Sequence, residues 1–302
     1  MPFVLEAAAR GATVHWYWEE EEIKANVRQG TVSIGALPPT VGGADSDQLL
    51  RQLPAVDQED YKSRTRPSSC DQPMFYWIFR NQDFDRWQHA SGVEVLWLSG
   101  PTECRISDAS SHIVNLAKES YPEVQRSVLY FFCSTAPKEI PVSITFVSTT
   151  VRQLVCCSPK LKQEIITVFL STLLSTLLKG NELLPKPKVS LFNADDSAEV
   201  IVKKILKAPS DAYWGALRAV LDIEQGMELS LIIDGLDKTE NQGYEFIREL
   251  CVFIEHLREG PFTARVLLTS RPQAAIKDIL GRLSSIEYDK ERRGLAYLTF
   301  YS

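Results

Sequence analysis

The sequence predicts an α/β protein with a parallel sheet that is flanked by helices. Three apolar runs, at residues 93–99, 229–237 and 264–270, have the length of buried strands. Stretches with apolar residues at helical spacing separate them, and such alternation favours a parallel sheet. Each run ends in glycine or polar residues, at the sheet edge where open α/β proteins bind ligands.

Further elements complete this pattern. Residues 130–134 and 285–288 suit two more strands. Apolar spacing predicts helices at 145–154, 161–178, 195–206, 212–223, 244–258 and 273–283. Another helix follows residue 107, with Asp108 or Ser110 as a candidate N-cap. We expect a partly disordered leader at 1–47, a small helical extension at 48–92, the α/β core at 93–289 and a tail at 290–302.

The turn after the first strand has part of a phosphate-binding pattern. Residues 100–107 read G-P-T-E-C-R-I-S, whereas a working loop reads G-x-x-x-x-G-K-[ST]. Gly100 and Ser107 match this pattern. Arg105 replaces the second glycine, Ile106 replaces the lysine, and Glu103 adds negative charge where phosphate would lie. The loop is therefore predicted to be degenerate.

The other two strands end in residues of the matching chemistry. Asp234 and Asp237 lie at the end of the run at 229–237 in a Walker B pattern, with Asp234 placed to hold Mg²⁺ through water. Ser107 is the second candidate Mg²⁺ ligand, if nucleotide binds. Arg271 directly follows the run at 264–270, and its natural partner is a terminal phosphate.

These segments resemble the NACHT branch of the signalling P-loop NTPases (STAND class), the nucleotide-switched core of NLR-type immune receptors. The resemblance is closest to filamentous fungal members and covers residues 48–289. It includes N-x-x-F-x-x-W within F-Y-W-I-F-R-N-Q-D-F-D-R-W at 75–87, Y-F-F-C-S at 130–134, D-G-L-D at 234–237 and L-T-S-R-P at 268–272. It implies a P-loop NTPase-like sheet.

Departures from the family pattern imply that the chain is not an active NTPase. Lys238 stands where a glutamate usually follows Asp237, and Ile106 stands where the lysine contacts phosphate. Loss of one charge-assisted contact costs on the order of 1.5–3 kcal/mol. We expect no bound cofactor, and low-affinity binding of ATP or ADP with Mg²⁺ is the alternative.

Each site residue also has a purely structural interpretation. Asp234 and Asp237 can end a strand and cap the next helix, with equal weight to metal binding. Arg271 can bond to nearby carbonyls or carboxylates, and Ser107 can be an ordinary helix-start residue. A further hypothesis pairs Glu103 with Arg105, so that protein charges fill the phosphate site.

Composition favours an intracellular globular protein. The chain has 302 residues, 44% of them hydrophobic, and a net charge of −6, which argues against nucleic-acid binding. The apolar stretch at 165–178 contains serine and threonine and is shorter than the roughly 20 residues of a membrane span, so we predict a buried helix. Six cysteines without a C-x-x-C spacing indicate reduced thiols. No secretory signal is apparent, and a cytoplasmic location is expected.

The expected function follows from the resemblance and its departures. Family members continue into a helical lid, a winged-helix region and a repeat array, while only residues 290–302 follow this core. We therefore expect a truncated scaffold that binds a protein partner, such as a full-length NLR-like relative, in fungal self/non-self or immune-type signalling. The alternatives are a weak nucleotide binder or slow NTPase with a non-standard loop, and a decayed gene product.

Overall fold

The computed structural model describes residues 48, 50–64, 75–101, 104–119, 126–182, 205–223, 228–242, 244–281 and 284–287. The predicted leader, the predicted tail, most of the helix predicted at 195–206 and Glu103 lie outside these residues.

A five-stranded parallel sheet forms the centre of the molecule, as predicted. Its strands are β1 (Val93–Ser99), β2 (Arg126–Phe132), β3 (Glu228–Asp234), β4 (Thr263–Ser270) and β5 (Ser284–Glu287). Their spatial order is β2-β3-β4-β1-β5. The α/β class with a P-loop NTPase-like sheet is therefore confirmed.

The strand register brings the predicted site residues to one edge. Ser99 pairs with Ser270, Phe132 with Asp234, and Ile233 with Leu268. The three central strands, β3, β4 and β1, therefore end at nearly the same level. Because parallel strands run in the same direction, the residues that follow them converge at the carboxyl edge.

Helices lie on both faces of the sheet. They are α1 (Gln58–Arg64), α2 (Tyr76–Phe79), α3 (Gln82–Gln88), α4 (Ile106–Glu119), α5 (Val142–Cys157), α6 (Lys162–Glu182), α7 (Ser210–Ile223), α8 (Glu245–Glu259) and α9 (Ala274–Leu280). Short 3₁₀ helices cover Cys133–Thr135, Pro159–Leu161 and Leu236–Gln242. The helical extension predicted before the core contains α1, α2 and α3.

Alternating strand residues pack into two separate cores. On β1, Val95 and Trp97 join the larger core beneath α5 to α8, whereas Leu96 and Leu98 join the smaller core beneath α2 to α4. This alternation follows from the period of two in a β-strand. The smaller core includes the apolar side of the extension, and Trp87 Nε1 donates a 3.0 Å hydrogen bond to the Val266 carbonyl. The extension is thereby joined to the central strands.

Aromatic rings fill the larger core between α5, α7 and α8. The Trp214 ring lies 5.2 Å from Phe146, 6.2 Å from Phe246 and 5.3 Å from Phe253, between centroids. All four side chains are buried. Rings at such distances add to the free energy gained by area burial alone.

Several predicted boundaries need correction. The strand predicted at 130–134 spans Arg126–Phe132, four residues earlier at its start, and Cys133 and Ser134 belong to a 3₁₀ helix. The strand predicted at 229–237 ends at Asp234, and Asp237 belongs to the Leu236–Gln242 3₁₀ helix. Helix α4 begins at Ile106, so Asp108 and Ser110 lie within it and neither is its N-cap. The serine hydroxyls in this turn are instead used in contacts described below.

Two other predictions are confirmed for the described residues. Within α6, Ile165, Phe169 and Leu173 are fully buried, as expected of the apolar stretch at 165–178. No helix in the described ranges is long and apolar enough to cross a membrane. The described cysteines are free thiols, namely Cys104, Cys133, Cys156, Cys157 and Cys251.

Candidate functional site

A cavity of about 210 Å³ opens at the carboxyl edge of the sheet, between the β1–α4 loop and the ends of β3 and β4. Its lining includes all the predicted site residues, Gly100, Ser107, Asp234, Asp237 and Arg271. Pockets for drug-sized ligands commonly measure about 300–1,000 Å³. The sequence-predicted residues are therefore brought together, around a space that is small for a whole nucleotide.

Asp234 is a buried carboxylate of this cavity, at 2% exposure. Its Oδ2 accepts a 2.7 Å hydrogen bond from Ser107 Oγ. Its Oδ1 accepts from Ser110 Oγ at 2.9 Å and from Thr269 Oγ1 at 2.6 Å. The carboxylate at the end of β3 thus joins the first turn of α4 to the end of β4 through three neutral hydroxyls.

Burial raises the pKa of Asp234 above its ordinary value. The three hydroxyl donors oppose this shift, and the nearby negative charge of Asp237 adds to it. Desolvation disfavours the charged form of a carboxyl group, and neutral donors compensate for it less than a cation does. The environment of Asp234 therefore favours the protonated acid more than water does.

Asp237 lies three residues further on and has a cationic partner. Arg271 donates to it twice, from the backbone N at 3.1 Å and from Nε at 2.7 Å. The Lys238 ammonium lies 3.4 Å from Asp237 Oδ2. Burial alone would raise the pKa of Asp237, but the bonds from Arg271 and the Lys238 charge hold that pKa below its ordinary value.

The degenerate loop keeps one feature of a glycine-rich turn. Arg105 has φ +52°, a left-handed conformation that a residue with a Cβ adopts at a cost. Its Nε donates to Asp108 Oδ2 in the first turn of α4. The backbone at the position of the second family glycine therefore keeps a conformation that suits glycine, while its side chain forms an ion pair.

The hypothesis of a Glu103–Arg105 pair stays a prediction, because Glu103 lies outside the described residues. Among the described residues, Arg105 pairs with Asp108. The spacing between positions 105 and 108 in a helix start allows this contact, because residues three apart lie on one helix face.

Ile106 occupies the lysine position as a core residue. It is 9% exposed and packs in the smaller core with Leu98 and Ile113, while also lining the cavity. An apolar side chain at this place contributes packing and supplies no charge to the cavity. The side chain at position 106 therefore packs in the core and offers no charge to a phosphate.

The two candidate Mg²⁺ ligands, Ser107 and Asp234, are in direct contact. They supply one hydroxyl and one carboxylate, and within the described ranges no group of three or more His, Cys, Asp or Glu residues could hold a metal ion. Magnesium commonly takes one or two carboxylates plus substrate phosphates and water. Ser107 and Asp234 alone therefore supply too few ligands to hold a metal ion.

The structural interpretations can also be compared with the contacts. Arg271 bonds to a carboxylate, as its structural interpretation predicts. Asp237 lies within the Leu236–Gln242 3₁₀ helix and is bonded to Arg271, so it is not the cap of a following α-helix. Ser107 lies in the first turn of α4 but also bonds to Asp234, which an ordinary helix-start role does not require.

Sequence reasoning missed four residues of the site: Ser110, Thr269, Asp108 and Tyr61. The spacing of Ser107 and Ser110, three residues apart on one helix, could have indicated that both hydroxyls face the strand end. No sequence pattern indicates Thr269, because its contact with Asp234 depends on the β3–β4 register. Tyr61 reaches the cavity from α1, far away in the sequence.

Comparisons with known proteins give one partial family match and one distant structural similarity. The family model described as "Nephrocystin 3, N-terminal" matches residues 74–202, less than half of the chain. A solved structure of Drosophila ORC bound to DNA aligns with 90% of this chain at 12% identity and a TM-score of 0.34. The alignment covers 55% of the ORC chain, so this chain spans about half of its length. No curated protein matches the sequence.

Proposed function

We propose that this protein is a degenerate, NACHT-type member of the STAND NTPases that does not hydrolyse nucleotide and acts as an interaction scaffold. The observation that supports this most is the internal pairing of charges around the cavity. Arg105 pairs with Asp108, and Arg271 and Lys238 both pair with Asp237. Protein carboxylates thus already pair with the cationic side chains that a nucleotide phosphate would need.

The missing lysine strengthens this proposal. A phosphate in the cavity would meet the N-terminal end of α4, which favours anions. It would also meet the buried carboxylate of Asp234, and Ile106 offers it no charge. A working site gains on the order of 1.5–3 kcal/mol from one charge-assisted contact, and here that contact has no donor at position 106.

The alternative is a weak nucleotide binder or slow NTPase, and one contact favours it. Ser107 and Asp234 lie together at 2.7 Å, as a shared Mg²⁺ site on a phosphate-bound nucleotide requires. Arg271 lies at the same edge and could turn from Asp237 to a terminal phosphate, because its side chain is 47% exposed. On this reading ATP or ADP binds with Mg²⁺ at low affinity.

Calorimetric titration with ATP and ADP, with and without Mg²⁺, separates the two proposals. We expect no measurable binding to the natural chain. A matched positive control rebuilds the loop with Glu103→Gly, Arg105→Gly and Ile106→Lys, and this variant is expected to bind Mg·ATP. Micromolar binding to the natural chain that weakens in Asp234→Ala would contradict the scaffold proposal.

The scaffold's partner is proposed to be another protein, such as a full-length NLR-like relative, in fungal self/non-self or immune-type signalling. The net charge of −6 disfavours nucleic acid. Co-purification of tagged chain with a candidate relative tests this, and Asp234→Ala should leave the interaction intact. Loss of the interaction in a variant that still melts cooperatively would indicate that the nucleotide site controls partner binding.

A further inference from the structure

We propose that residues 50–64 form a strap whose helix α1 is a displaceable wall of the cavity, with the Tyr61 ring keeping the cavity narrow. This inference deepens the proposed function, because it concerns the same cavity and supplies a second way of closing it. The geometry shows the two ends of the strap held by different kinds of contact.

The first end of the strap is attached to α5. Arg152 donates from Nε to the Leu50 carbonyl at 3.1 Å and from one terminal nitrogen to the Leu53 carbonyl at 2.8 Å and to the Arg51 carbonyl. The Val56 backbone N donates to Thr149 Oγ1 at 3.0 Å. Leu50 and Leu53 are also buried in the larger core. This end belongs to the folded body.

The other end is latched to the edge strand β2 by one buried amide. The Phe132 backbone N donates to Gln58 Oε1 at 2.8 Å, and Gln58 Nε2 donates to Thr135 Oγ1 at 3.0 Å. Since β2 is the last strand of the sheet on this side, the Gln58 side chain satisfies a backbone donor that a neighbouring strand would otherwise take. Phe132 pairs with Asp234 in the sheet register, so the latch lies next to the cavity.

A second set of latch contacts is solvent-accessible. Glu59 accepts from Lys118 Nζ at 2.8 Å and from the Tyr130 hydroxyl, and also pairs with Lys62. The Glu59 and Lys118 side chains are 54% and 39% exposed. Exposed ion pairs contribute little net stability, because water replaces them readily. The ion pairs of Glu59 can therefore open without unfolding the sheet, whereas its contact with the buried Tyr130 side chain holds α1 in place.

Tyr61 connects the latch to the cavity. Its ring lies 4.8 Å from the Phe132 ring between centroids, and it lines the cavity together with Ser134 and the β1–α4 loop. Movement of α1 away from β2 would withdraw this ring. The position of the strap therefore sets the width of the cavity beside Tyr61.

Residue-resolved amide hydrogen exchange on the full chain tests the strap. In Gln58→Ala we expect the Phe132 amide to exchange about tenfold faster, because its acceptor is removed. The Arg271 amide, which bonds to Asp237 in the cavity, should accelerate with it, while the Leu267 amide in the middle of β4 should not change. Ser63→Ala, on the exposed side of the same helix, is the matched control and should change none of the three.

Tyr61→Ala separates the wall from the latch and serves also if Gln58→Ala does not fold. It should accelerate exchange at Arg271 and leave Phe132 unchanged. Acceleration at Phe132 but not at Arg271 would overturn the wall, and equal acceleration at Leu267 would overturn the strap as a separate unit. Exchange is measured without nucleotide, so nucleotide binding by the natural chain in a separate titration would contradict the proposed function and leave these exchange rates unchanged. The two failures are therefore distinguishable.

Discussion

Asp234 ends strand β3 and Asp237 lies three residues later, yet the surroundings of the two carboxyl groups shift their pKa values in opposite directions. Asp234 accepts from the hydroxyls of Ser107, Ser110 and Thr269, and burial raises its pKa. Asp237 is bonded twice to Arg271, and its pKa is held below the ordinary value despite burial. One carboxylate has neutral donors and the other has a cation.

The difference follows from the loop that faces each carboxylate. Asp234 faces the first turn of α4, where the family lysine position is Ile106. Asp237 faces the end of β4, where Arg271 is retained. With isoleucine at position 106, the strand end has a buried carboxylate that only hydroxyls compensate.

Placing a lysine at position 106 should have the largest effect on the difference between Asp234 and Asp237. Ile106→Lys removes apolar packing from the smaller core and desolvates an ammonium group. Attraction to Asp234, which lines the same cavity, offsets only part of this cost, and we expect a net loss of about 2–4 kcal/mol in the free energy of unfolding. Ile106→Met, of similar volume, should cost less than about 1.5 kcal/mol. Urea denaturation measures both. Tight Mg·ATP binding by a stable Ile106→Lys variant would show that the loop is not otherwise obstructed.

Removing the charge of Asp237 should have the next largest effect. Because the folded pKa is lowered, the charged form contributes stability above about pH 4 that is lost as pH falls through the folded pKa. Asp237→Asn should therefore lose about 1–2 kcal/mol at pH 7 and flatten acid denaturation below about pH 4. A double-mutant cycle with Arg271→Gln tests the pair, and additive single effects would contradict a direct interaction.

The corresponding change at Asp234 should act in the opposite direction. Because burial raises the folded pKa, the protonated acid contributes stability that is present below the ordinary pKa and lost as pH rises through the folded value. Asp234→Asn should gain about 1 kcal/mol at pH 7, because it removes the buried charge. Its amide oxygen keeps the acceptor for Ser110 and Thr269, and its amide nitrogen can donate to the Ser107 hydroxyl. The exposed Asp278→Asn is the control, expected within about 0.5 kcal/mol. A destabilised Asp234→Asn would show that the hydroxyls fully compensate the charge.

The smallest effect concerns backbone strain at Arg105. Arg105→Gly and Arg105→Ala both remove the ion pair with Asp108, but only glycine adopts φ +52° without a Cβ penalty. We expect the glycine variant to be about 1 kcal/mol more stable than the alanine variant in thermal unfolding. Equal stabilities would indicate that the turn relaxes when the arginine side chain is removed.

The elements best predicted from the sequence are those with the strongest apolar patterns. The strands at 93–99 and 264–270 and the helix at 244–258 were located to within about a residue, because a buried strand or an amphipathic face leaves a clear pattern. The strand Arg126–Phe132 begins four residues before its predicted start, because its first residues, Arg126 and Ser127, are polar. The start of α4 was also placed too late, because the helix begins with Ile106 and without a capping residue of the usual kind.

The sequence by itself determined the α/β class, the converging strand ends and the apolar residue at position 106, because each depends on local residue type and spacing. Only the tertiary structure decided which charges meet. The partners of Asp234 come from residues 107, 110 and 269, and those of Asp237 come from residues 238 and 271. The Tyr61 wall likewise depends on a helix docked across the sheet edge. Such contacts join segments far apart in the chain, and the register and packing that bring them together have no local signature.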